Sequence, residues 1–350
     1  MGAIKRSFDG YLARHHRDHG RREVFVSIAI AGTLAAGALL GVAWAAGFGE
    51  VARQLAHPRW IWFPLALAGT VASYLGYLVA YRELARADEG PNFRLRHAGA
   101  AVATGFGVFM PRGGFAFDQE VMCDAGVSPR EAAVRVRGLS VLEYAVLAPA
   151  AFGAALFLLV EGIRDRGGVQ LSWIVGVPVG TAVTLVLLRH RTRFRRGGRI
   201  RRAVARFLDA TVRLARMLLP PSRNGIGAVV GMTVYWAGDI FALWACLAAF
   251  MPHGRPSVSA LIVGYATGYV LSRRTLPFAG AGAVEALLPF ALMWVGVGLA
   301  PAVLSVFAYR VFNLWLPVIP AAPGLLALKR RHRRSARCWS RQRCSSRPAG

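Results

Sequence analysis

The stretch ATGFGVFMPRGGFAFDQE, residues 103–120, joins an apolar arm to a proline break and a charged, glycine-rich turn. The break falls at Pro111, and Arg112, Asp118 and Glu120 follow it. In a lipid bilayer, irregular backbone is tolerated only where protein or water satisfies its polar groups. The stretch therefore predicts a helical hairpin that enters the membrane, breaks and returns.

The composition of the whole chain agrees with a membrane protein. Of 350 residues, 55% are hydrophobic and 17% charged, and the mean hydropathy is +0.42. The 43 Lys and Arg lie mainly between apolar segments, and no nucleic-acid-binding motif accompanies them, which argues against nucleic acid as a partner. The four cysteines show neither CxxC nor metal-ligand spacing, so we expect no metal and no cofactor.

Apolar stretches of about 20 residues, enough to cross a bilayer, recur along the chain. Five qualify, at 24–47, 60–81, 138–160, 225–250 and 300–328, and a shorter one at 171–188 makes a sixth. The regions 98–125 and 258–298 each hold two apolar arms around a break. We predict an all-α polytopic membrane protein with six to eight transmembrane helices and re-entrant helical hairpins. The higher number applies if 258–298 crosses twice.

The positive charges predict the orientation of these spans. Lys and Arg number six before the first span, four in 82–97, twelve in 189–223 and nine from Lys329 onward. The alternate connections 48–59, 161–170 and 251–257 hold two, two and one. We therefore expect a multi-pass protein of the inner (plasma) membrane with both termini cytoplasmic. Its parts are a basic segment 1–23, a transmembrane domain 24–328 and a basic tail 329–350.

A basic amphipathic helix is predicted at about 199–219. Ile200, Val204, Phe207, Leu214 and Leu218 recur on one helical face, and arginines recur on the opposite face. This pattern favours a helix lying on the inner leaflet. The same charges are also explained by a solvated face that only fixes the topology.

The two hairpin regions share an order of landmarks that predicts an inverted internal repeat. Both contain Ala-Thr-Gly, a proline after an apolar residue, an acid, Gly-x-x-Pro and then a long helix. The matched landmarks are Ala103–Gly105 with Ala266–Gly268, Pro111 with Pro277, Glu120 with Glu285, and Gly126–Pro129 with Gly298–Pro301. The spans that precede them run in opposite directions. Broken helices meeting between inverted repeats are a recurring transporter plan.

Charged residues within the apolar regions predict the binding site. A charge at the centre of a lipid-exposed helix costs roughly 2.5–3.5 kcal/mol, so such residues should face inward and pair. The candidates for substrate binding are Arg112, Asp118, Glu120, Glu143, Glu285 and Arg310. We predict an ion pair between Glu143 and Arg310, which hold comparable places in their helices.

Other interpretations of these residues stay open at this point. Asp118 and Glu120 lie at the cytoplasmic interface if the first hairpin is shallow. Asp239 is either part of the site or a satisfied contact between helices. Arg273 and Arg274 fit better as flanks of a short span than as binding residues. Most tryptophans and tyrosines, including Trp60, Trp62 and Tyr81 near span ends, are predicted to form an interfacial belt.

Two segments carry a family resemblance. FMPRGGFAFDQEVMCDAGVSPREAAVRVRGLSVLEY, from Phe109, and LPFAGAGAVEALLPFAL, from Leu276, resemble the signature regions of the transmembrane, flippase-like domain of lysylphosphatidylglycerol synthases and their stand-alone relatives. The likeness extends over roughly 24–328, although only these two loops and the helices after them are distinctive. The first signature falls on Pro111, Arg112, Gly113, Gly114 and Asp118, and the second on Pro277, Gly280, Gly282 and Glu285. Their prolines and glycines, Pro111, Gly113, Gly114, Pro277, Gly280 and Gly282, are expected to shape the two loops. In the family the second loop is richer in proline and paired glycine.

The resemblance implies a function as well as a fold. In the bifunctional synthases this region is associated with moving an aminoacylated phospholipid between leaflets. Those synthases carry a soluble aminoacyltransferase domain after the membrane part, whereas only the basic tail follows here, so we do not expect lipid aminoacylation. The expected function is non-enzymatic: binding and translocation of an amphiphilic lipid or lipid-linked intermediate, held near the charged candidates. Membrane lipids are the expected partners.

Two alternatives remain from the sequence. One is a membrane-embedded transferase acting on a lipid-linked substrate with Asp118 or Glu120 as base. The sequence contains no HExxH, DxD, GxSxG or P-loop to support it, and its histidines in the membrane part fall in connections. The other is a scaffold that recruits a lipid-modifying enzyme through the basic loop or tail.

Deleting residues 330–350 distinguishes the scaffold hypothesis from the hypothesis of a lipid carrier. We expect the shortened chain to insert into membranes and to keep its function, because the predicted site lies wholly within 24–328. Membrane fractionation and a lipid-crossing measurement in liposomes check this. Loss of function with normal insertion would favour the scaffold.

Overall fold

The described chain is built from helices. The computed structural model describes residues 21–87, 90–107, 114–163, 168–194, 198–218, 223–251, 253–269, 280–319 and 321, and no strand occurs within them. The helices of the first part are α1 (Arg21–Ala46), α2 (Phe48–Leu55), α3 (Trp62–Arg86), α4 (Leu95–Gly107), α5 (Gly114–Asp124), α6 (Pro129–Val160) and α7 (Val169–Arg189). They are followed by α8 (Arg191–Phe194), α9 (Arg199–Leu218), α10 (Arg223–Phe250), α11 (Val258–Gly268), α12 (Ala283–Trp294) and α13 (Leu299–Arg310).

Five of these helices are long and apolar enough to cross a membrane: α1, α3, α6, α7 and α10. They coincide with the predicted spans at 24–47, 60–81, 138–160, 171–188 and 225–250. The predicted span 300–328 differs, because its described part is a shorter apolar helix, Leu299–Trp315. The predicted tail 329–350 and residues 1–20 of the N-terminal segment lie outside the described residues, whereas Arg21 and Arg22 belong to α1.

Both predicted hairpins consist of two short helices. In the second, α11 has 11 residues and α12 has 12. At 1.5 Å per residue each arm covers about 18 Å, well short of the roughly 30 Å of a bilayer core. Over the described residues, these lengths favour re-entrant arms over two further crossings.

Helices α3 and α10 pack against each other more extensively than any other pair of the described helices. They run antiparallel and touch backbone to backbone at four glycines. A methyl group added to Gly76 would lie 2.5 Å from the Tyr235 nitrogen and 2.6 Å from the Gly231 carbonyl oxygen. One added to Gly238 would lie 2.6 Å from the Ser73 nitrogen. Small residues allow this approach, which maximises dispersion contacts between helices that have no hydrophobic drive to associate in lipid.

These contacts repeat under an internal two-fold relation. Gly69 and Gly76 on α3 have the same spacing as Gly231 and Gly238 on α10. Gly76 meets Gly231, and Gly69 meets Gly238, so exchanging the two helices reproduces the same contacts. Each of these helices is followed by two short helices and a further helix: α4, α5 and α6 in the first half, α11, α12 and α13 in the second. The halves are thus related as the predicted inverted repeat requires.

The turns after α5 and α12 fix the register between the halves. Gly126 has φ +95° and Gly296 has φ +99°, which favours glycine in each. The next residue closes the same C-cap in both: Val127 N–H donates to the Met122 carbonyl at 3.1 Å, and Val297 N–H to the Leu292 carbonyl at 3.0 Å. Gly126 therefore corresponds to Gly296.

This register corrects two predicted landmarks. Gly298 is the N-cap of α13 rather than the turn glycine, so the match of Gly126–Pro129 with Gly298–Pro301 is wrong by two residues. Counted from the turn glycines, Glu285 corresponds to Phe115 rather than to Glu120. The repeated Gly-x-x-Pro pattern gave the wrong alignment because its glycine has a different backbone role in each half: Gly126 forms the turn, whereas Gly298 caps a helix.

The basic amphipathic helix forms as α9, but part of its apolar face packs on protein. Leu208 and Leu214 are buried, and Arg213 joins α9 to Glu131 of α6 through an ion pair with N–O distance 2.6 Å. Ile200 and Phe207, also on the predicted apolar face, remain exposed. The helix therefore combines a protein-packed stripe with an exposed apolar edge.

We expect Gly76→Ala to destabilise the protein by about 1–3 kcal/mol or more, because the new methyl group meets rigid backbone. Gly153→Ala is the matched control: it lies in α6, and an added methyl group meets nothing within 4 Å. Alanine alone raises helix propensity by up to ~1 kcal/mol, so the control should be neutral or stabilising. Thermal unfolding in detergent measures both. Equal stability of the two variants would contradict the backbone contact.

Candidate functional site

A buried polar cluster lies among helices of the second half. We call it the polar cluster; it consists of Asp239, Tyr265, Tyr269, Glu285, Tyr309, Arg310 and Asn313. All seven residues are buried, and none exposes more than 2% of its surface. Asp239 comes from α10, Glu285 from the first turn of α12, and Arg310 from the end of α13. Three helices and the end of α11 thus converge on one polar interior.

The ion pair of Glu285 and Arg310 is the charged centre of the cluster. Arg310 Nε donates to Glu285 Oε1 at 2.6 Å. Glu285 Oε2 accepts the backbone N–H of Gly282 at 2.8 Å, which caps the start of α12. Gly282 has φ +86°, and an added methyl group would contact Leu34, so the predicted loop-shaping glycine is required here by backbone conformation and space. Gly280 also has a positive φ, +69°.

Asp239 is held by three donors. Tyr309 OH donates to its Oδ2 at 2.7 Å, Tyr265 OH donates to the same oxygen, and Asn313 Nδ2 donates to Oδ1. A buried carboxylate needs such donors to replace its lost hydration. The interpretation of Asp239 as a satisfied contact between helices is therefore supported by its hydrogen bonds.

Tyrosine hydroxyls connect the two acids. Arg310 Nη1 donates to Tyr269 OH at 3.5 Å, and the hydroxyls of Tyr269 and Tyr309 are 2.8 Å apart. Because Tyr309 donates to Asp239, Tyr269 donates to Tyr309. A continuous chain of hydrogen bonds thus runs from the ion pair to Asp239.

A π-helical turn shapes the far side of the cluster. Residues Val311–Trp315 follow α13 directly, and Leu316 N–H donates to the Val311 carbonyl at 2.9 Å. The Asn313 carbonyl accepts the hydroxyl of Tyr74, on α3, at 2.6 Å. The Asn313 side chain reaches Asp239 instead. Such turns are frequent at functional sites because they re-aim side chains within a helix.

Of the predicted substrate-binding residues, the structure brings Glu285 and Arg310 into contact. The predicted ion pair of Arg310 with Glu143 is wrong: within the described chain Arg310 bonds to Glu285 and Tyr269. The register explains this, because Glu143 corresponds by count to Asn313 and Arg310 to Ser140. Glu143 is nevertheless fully buried, and its carbonyl accepts Trp236 Nε1 at 2.9 Å.

The other predicted residues belong to the first hairpin and the loops. Asp118 is fully buried in α5, and Glu120 is half-buried in the same helix. Gly114 is the first residue of α5. Pro111, Arg112, Gly113 and Pro277, together with Arg273 and Arg274, lie outside the described residues.

The sequence interpretation missed the tyrosines of the cluster. The sequence predicts a belt for most tyrosines and names Tyr81 for it, and it assigns no role in the site to Tyr265, Tyr269 or Tyr309, yet all four are buried in the protein. Trp60, by contrast, is 73% exposed, as a belt residue would be. The available signal was spacing: Tyr265 and Tyr269 are separated by about one helical turn, so they lie on the same face of the apolar arm.

An apolar groove of about 990 Å³ runs between α6 and α7. It extends along α7 from Val169 to Leu188, which is roughly the length of a transmembrane span. Gly176 and Gly180 leave its α7 wall without side chains. Thr267 of α11 also lines it and accepts Trp173 Nε1 at 2.9 Å. Since Thr267 lies two residues before Tyr269, the groove reaches α11 next to the polar cluster.

The described residues contain no group of three or more His, Cys, Asp or Glu side chains that could hold a metal ion. The chemistry of the site in this part of the chain is therefore that of an ion pair, a carboxylate and tyrosine hydroxyls.

Five helices able to cross a bilayer, together with an ion pair buried among the helices of the second half, define an all-α polytopic membrane protein. The family model for the lysylphosphatidylglycerol synthase TM region matches residues 24–321. The chain belongs to this family, as a transmembrane domain. A comparison with curated proteins finds no match.

We expect Glu285→Gln and Arg310→Met each to destabilise the protein by about 3–5 kcal/mol, because each leaves a buried charge without its partner. The double variant should lose much less than the sum of the two. A double-mutant cycle from thermal unfolding in detergent measures this coupling. The cycle of Arg310→Met with Glu143→Gln is the comparison, and coupling there as large as with Glu285 would contradict the pairing described above.

Proposed function

We propose that this membrane protein binds an amphiphilic lipid or lipid-linked intermediate and carries it between the leaflets of the bilayer. The observation that carries the proposal is Arg310. It is 1% exposed, and its Nη2 has no hydrogen-bond partner within the described chain. A buried donor of a charged group is costly to leave unsatisfied, so an acceptor from a ligand is a physical explanation for it.

The polar cluster suits the head group of such a lipid. A guanidinium that already pairs with one carboxylate still offers N–H groups to a phosphate. The carboxylate of Glu285 would attract an amino group on the same ligand. The chain of tyrosine hydroxyls can exchange partners without creating or removing a charge.

The apolar groove suits the hydrocarbon part. Its volume of about 990 Å³ is at the upper end of small-ligand sites. It follows α7, whose most apolar stretch has none of its residues buried, so its outer side is available to lipid. A ligand with its head at the cluster could leave its chain in the groove or in the bilayer beside it.

The two-fold relation supplies a way to move the ligand. Two similar halves that meet at the contact of α3 and α10 can rock against each other and expose the space between them alternately. We include in this proposal that the protein resides in the plasma membrane with both termini cytoplasmic, which the distribution of Lys and Arg supports. The chain is assigned no catalytic step.

Reconstitution into liposomes tests the proposal. We expect the protein to accelerate crossing of at least one fluorescent phospholipid among phosphatidylglycerol, phosphatidylethanolamine and phosphatidylcholine derivatives, followed by chemical quenching of the outer leaflet. Glu285→Gln should reduce the rate about tenfold or more, because a lost charge-assisted hydrogen bond is worth ~1.5–3 kcal/mol. Glu50→Gln is the control, since Glu50 makes the same kind of pair with Arg53 at an exposed position.

A second pair of variants tests the groove. Gly180→Leu adds four carbons on the groove wall, where a Cβ meets nothing within 4 Å, whereas Ala182→Leu adds three carbons at an exposed position of the same helix that does not line the groove. The first should slow crossing and the second should not. Crossing no faster than in protein-free vesicles, for every head group tried, would remove the transport proposal.

A further inference from the structure

A second cavity, of about 760 Å³, lies between the start of α6, the short helix α8 and one face of α9. We call it the arginine cavity. It is lined by five arginines and two acids: Arg130, Arg191, Arg206, Arg213, Arg216, Glu131 and Asp209. These residues come from α8 and α9, in the basic connection 189–223, and from the start of α6. Their charges therefore converge on one concave space instead of spreading over a surface.

Glu131, one of the two acids, already pairs with two arginines, Arg213 of the cavity and Arg135 outside it. Glu131 Oε2 accepts Arg213 Nη1 at 2.7 Å, and the two groups also meet at 2.6 Å through Nη2 and Oε1. Glu131 Oε1 further accepts Arg135 Nε at 3.0 Å. Arg135 in turn donates to the last carbonyls of α3, at Ala85 and Ala87. Glu131 therefore links α6 to α9 directly, and it orients Arg135, which links α6 to the end of α3.

Four arginines of the cavity are left without counter-ions. Arg130, Arg191, Arg206 and Arg216 make no hydrogen bond or ion pair within the described chain. Like charges held close together raise the energy of the folded state unless an anion neutralises them. The start of α6 adds to the effect, because the first turn of a helix carries partial positive charge.

We propose that the arginine cavity binds the phosphate group of an anionic ligand. Arginine pairs with phosphate through two parallel hydrogen bonds, and several arginines around one space can each supply such a fork. A volume of about 760 Å³ fits a small head group. This site is separate from the polar cluster, so binding here does not depend on transport.

The surroundings favour a phospholipid as the source of the phosphate. Helix α9 presents Phe207, Thr211 and Ala215 to the apolar groove, while Arg206, Arg213 and Arg216 face the arginine cavity. One helix thus offers one side to the apolar groove and a cationic side for a head group. Free inorganic phosphate shares the same chemistry, and the experiment below separates the two.

Ligand-induced thermal stabilisation of the full chain in detergent tests the site. The probes are dioleoylphosphatidylglycerol, dioleoylphosphatidylcholine, and inorganic phosphate against chloride at equal ionic strength. We expect phosphatidylglycerol to bind, and the double variant Arg206→Gln/Arg216→Gln to bind it about tenfold more weakly, since charge-assisted hydrogen bonds are lost. Each shift is taken relative to the variant without ligand.

The control removes the same charge elsewhere. Arg189→Gln/Arg201→Gln alters two exposed arginines of the same connection that do not line the cavity. Its affinity should stay within about twofold of the unaltered protein. Binding of phosphatidylglycerol without inorganic phosphate supports a lipid head group, and binding of both supports a site for phosphate itself. Equal weakening in the two double variants, or no binding of either phosphate-bearing probe, would overturn the site.

Discussion

Direct contact between two helix backbones sets the geometry of this protein. At Gly69, Gly76, Gly231 and Gly238 no side chain separates α3 from α10, and even a methyl group would collide with main-chain atoms. Because the helices run antiparallel and their contacts are reciprocal, the hairpins attached to them are brought to opposite sides of the same crossing. The close crossing therefore fixes where each hairpin begins relative to the other.

The two halves share their helix arrangement but differ in the chemistry of their matched residues. Tyr77 follows the second glycine of α3, as Asp239 follows that of α10, and Phe106 follows Ala-Thr-Gly as Tyr269 does. In the first half Tyr77 and Phe106 meet edge to face, with ring centroids 4.8 Å apart. In the second half the same places hold a carboxylate and a hydroxyl joined through Tyr309. At these matched places the first half therefore supplies aromatic packing, while the second supplies a carboxylate and a hydroxyl.

The sequence predicted the spans, the hairpins and the inward placement of Glu285 and Arg310, because lipid tolerates neither broken backbone nor lone charges. The partner of Arg310 was not predictable in the same way. A charge within an apolar helix is expected to be buried, because lipid disfavours it. The side of α13 on which Arg310 lies depends on the register of the helix, which the turn at Gly296 sets. The tyrosine hydroxyls were missed because an aromatic residue in an apolar arm has the same hydropathy signal whether it faces lipid or a carboxylate.

The π-helical turn at Val311–Trp315 gives the end of α13 a property that its other turns lack. It contains one residue more than an α-helical turn would need, and one residue corresponds to about 100° of rotation around the helix axis. Migration of this surplus residue along the helix would swing Asn313 away from Asp239 and leave Arg310 beside Glu285. In the arrangement described, the surplus residue places the Asn313 carboxamide on Asp239 while Arg310, one turn earlier, stays on Glu285.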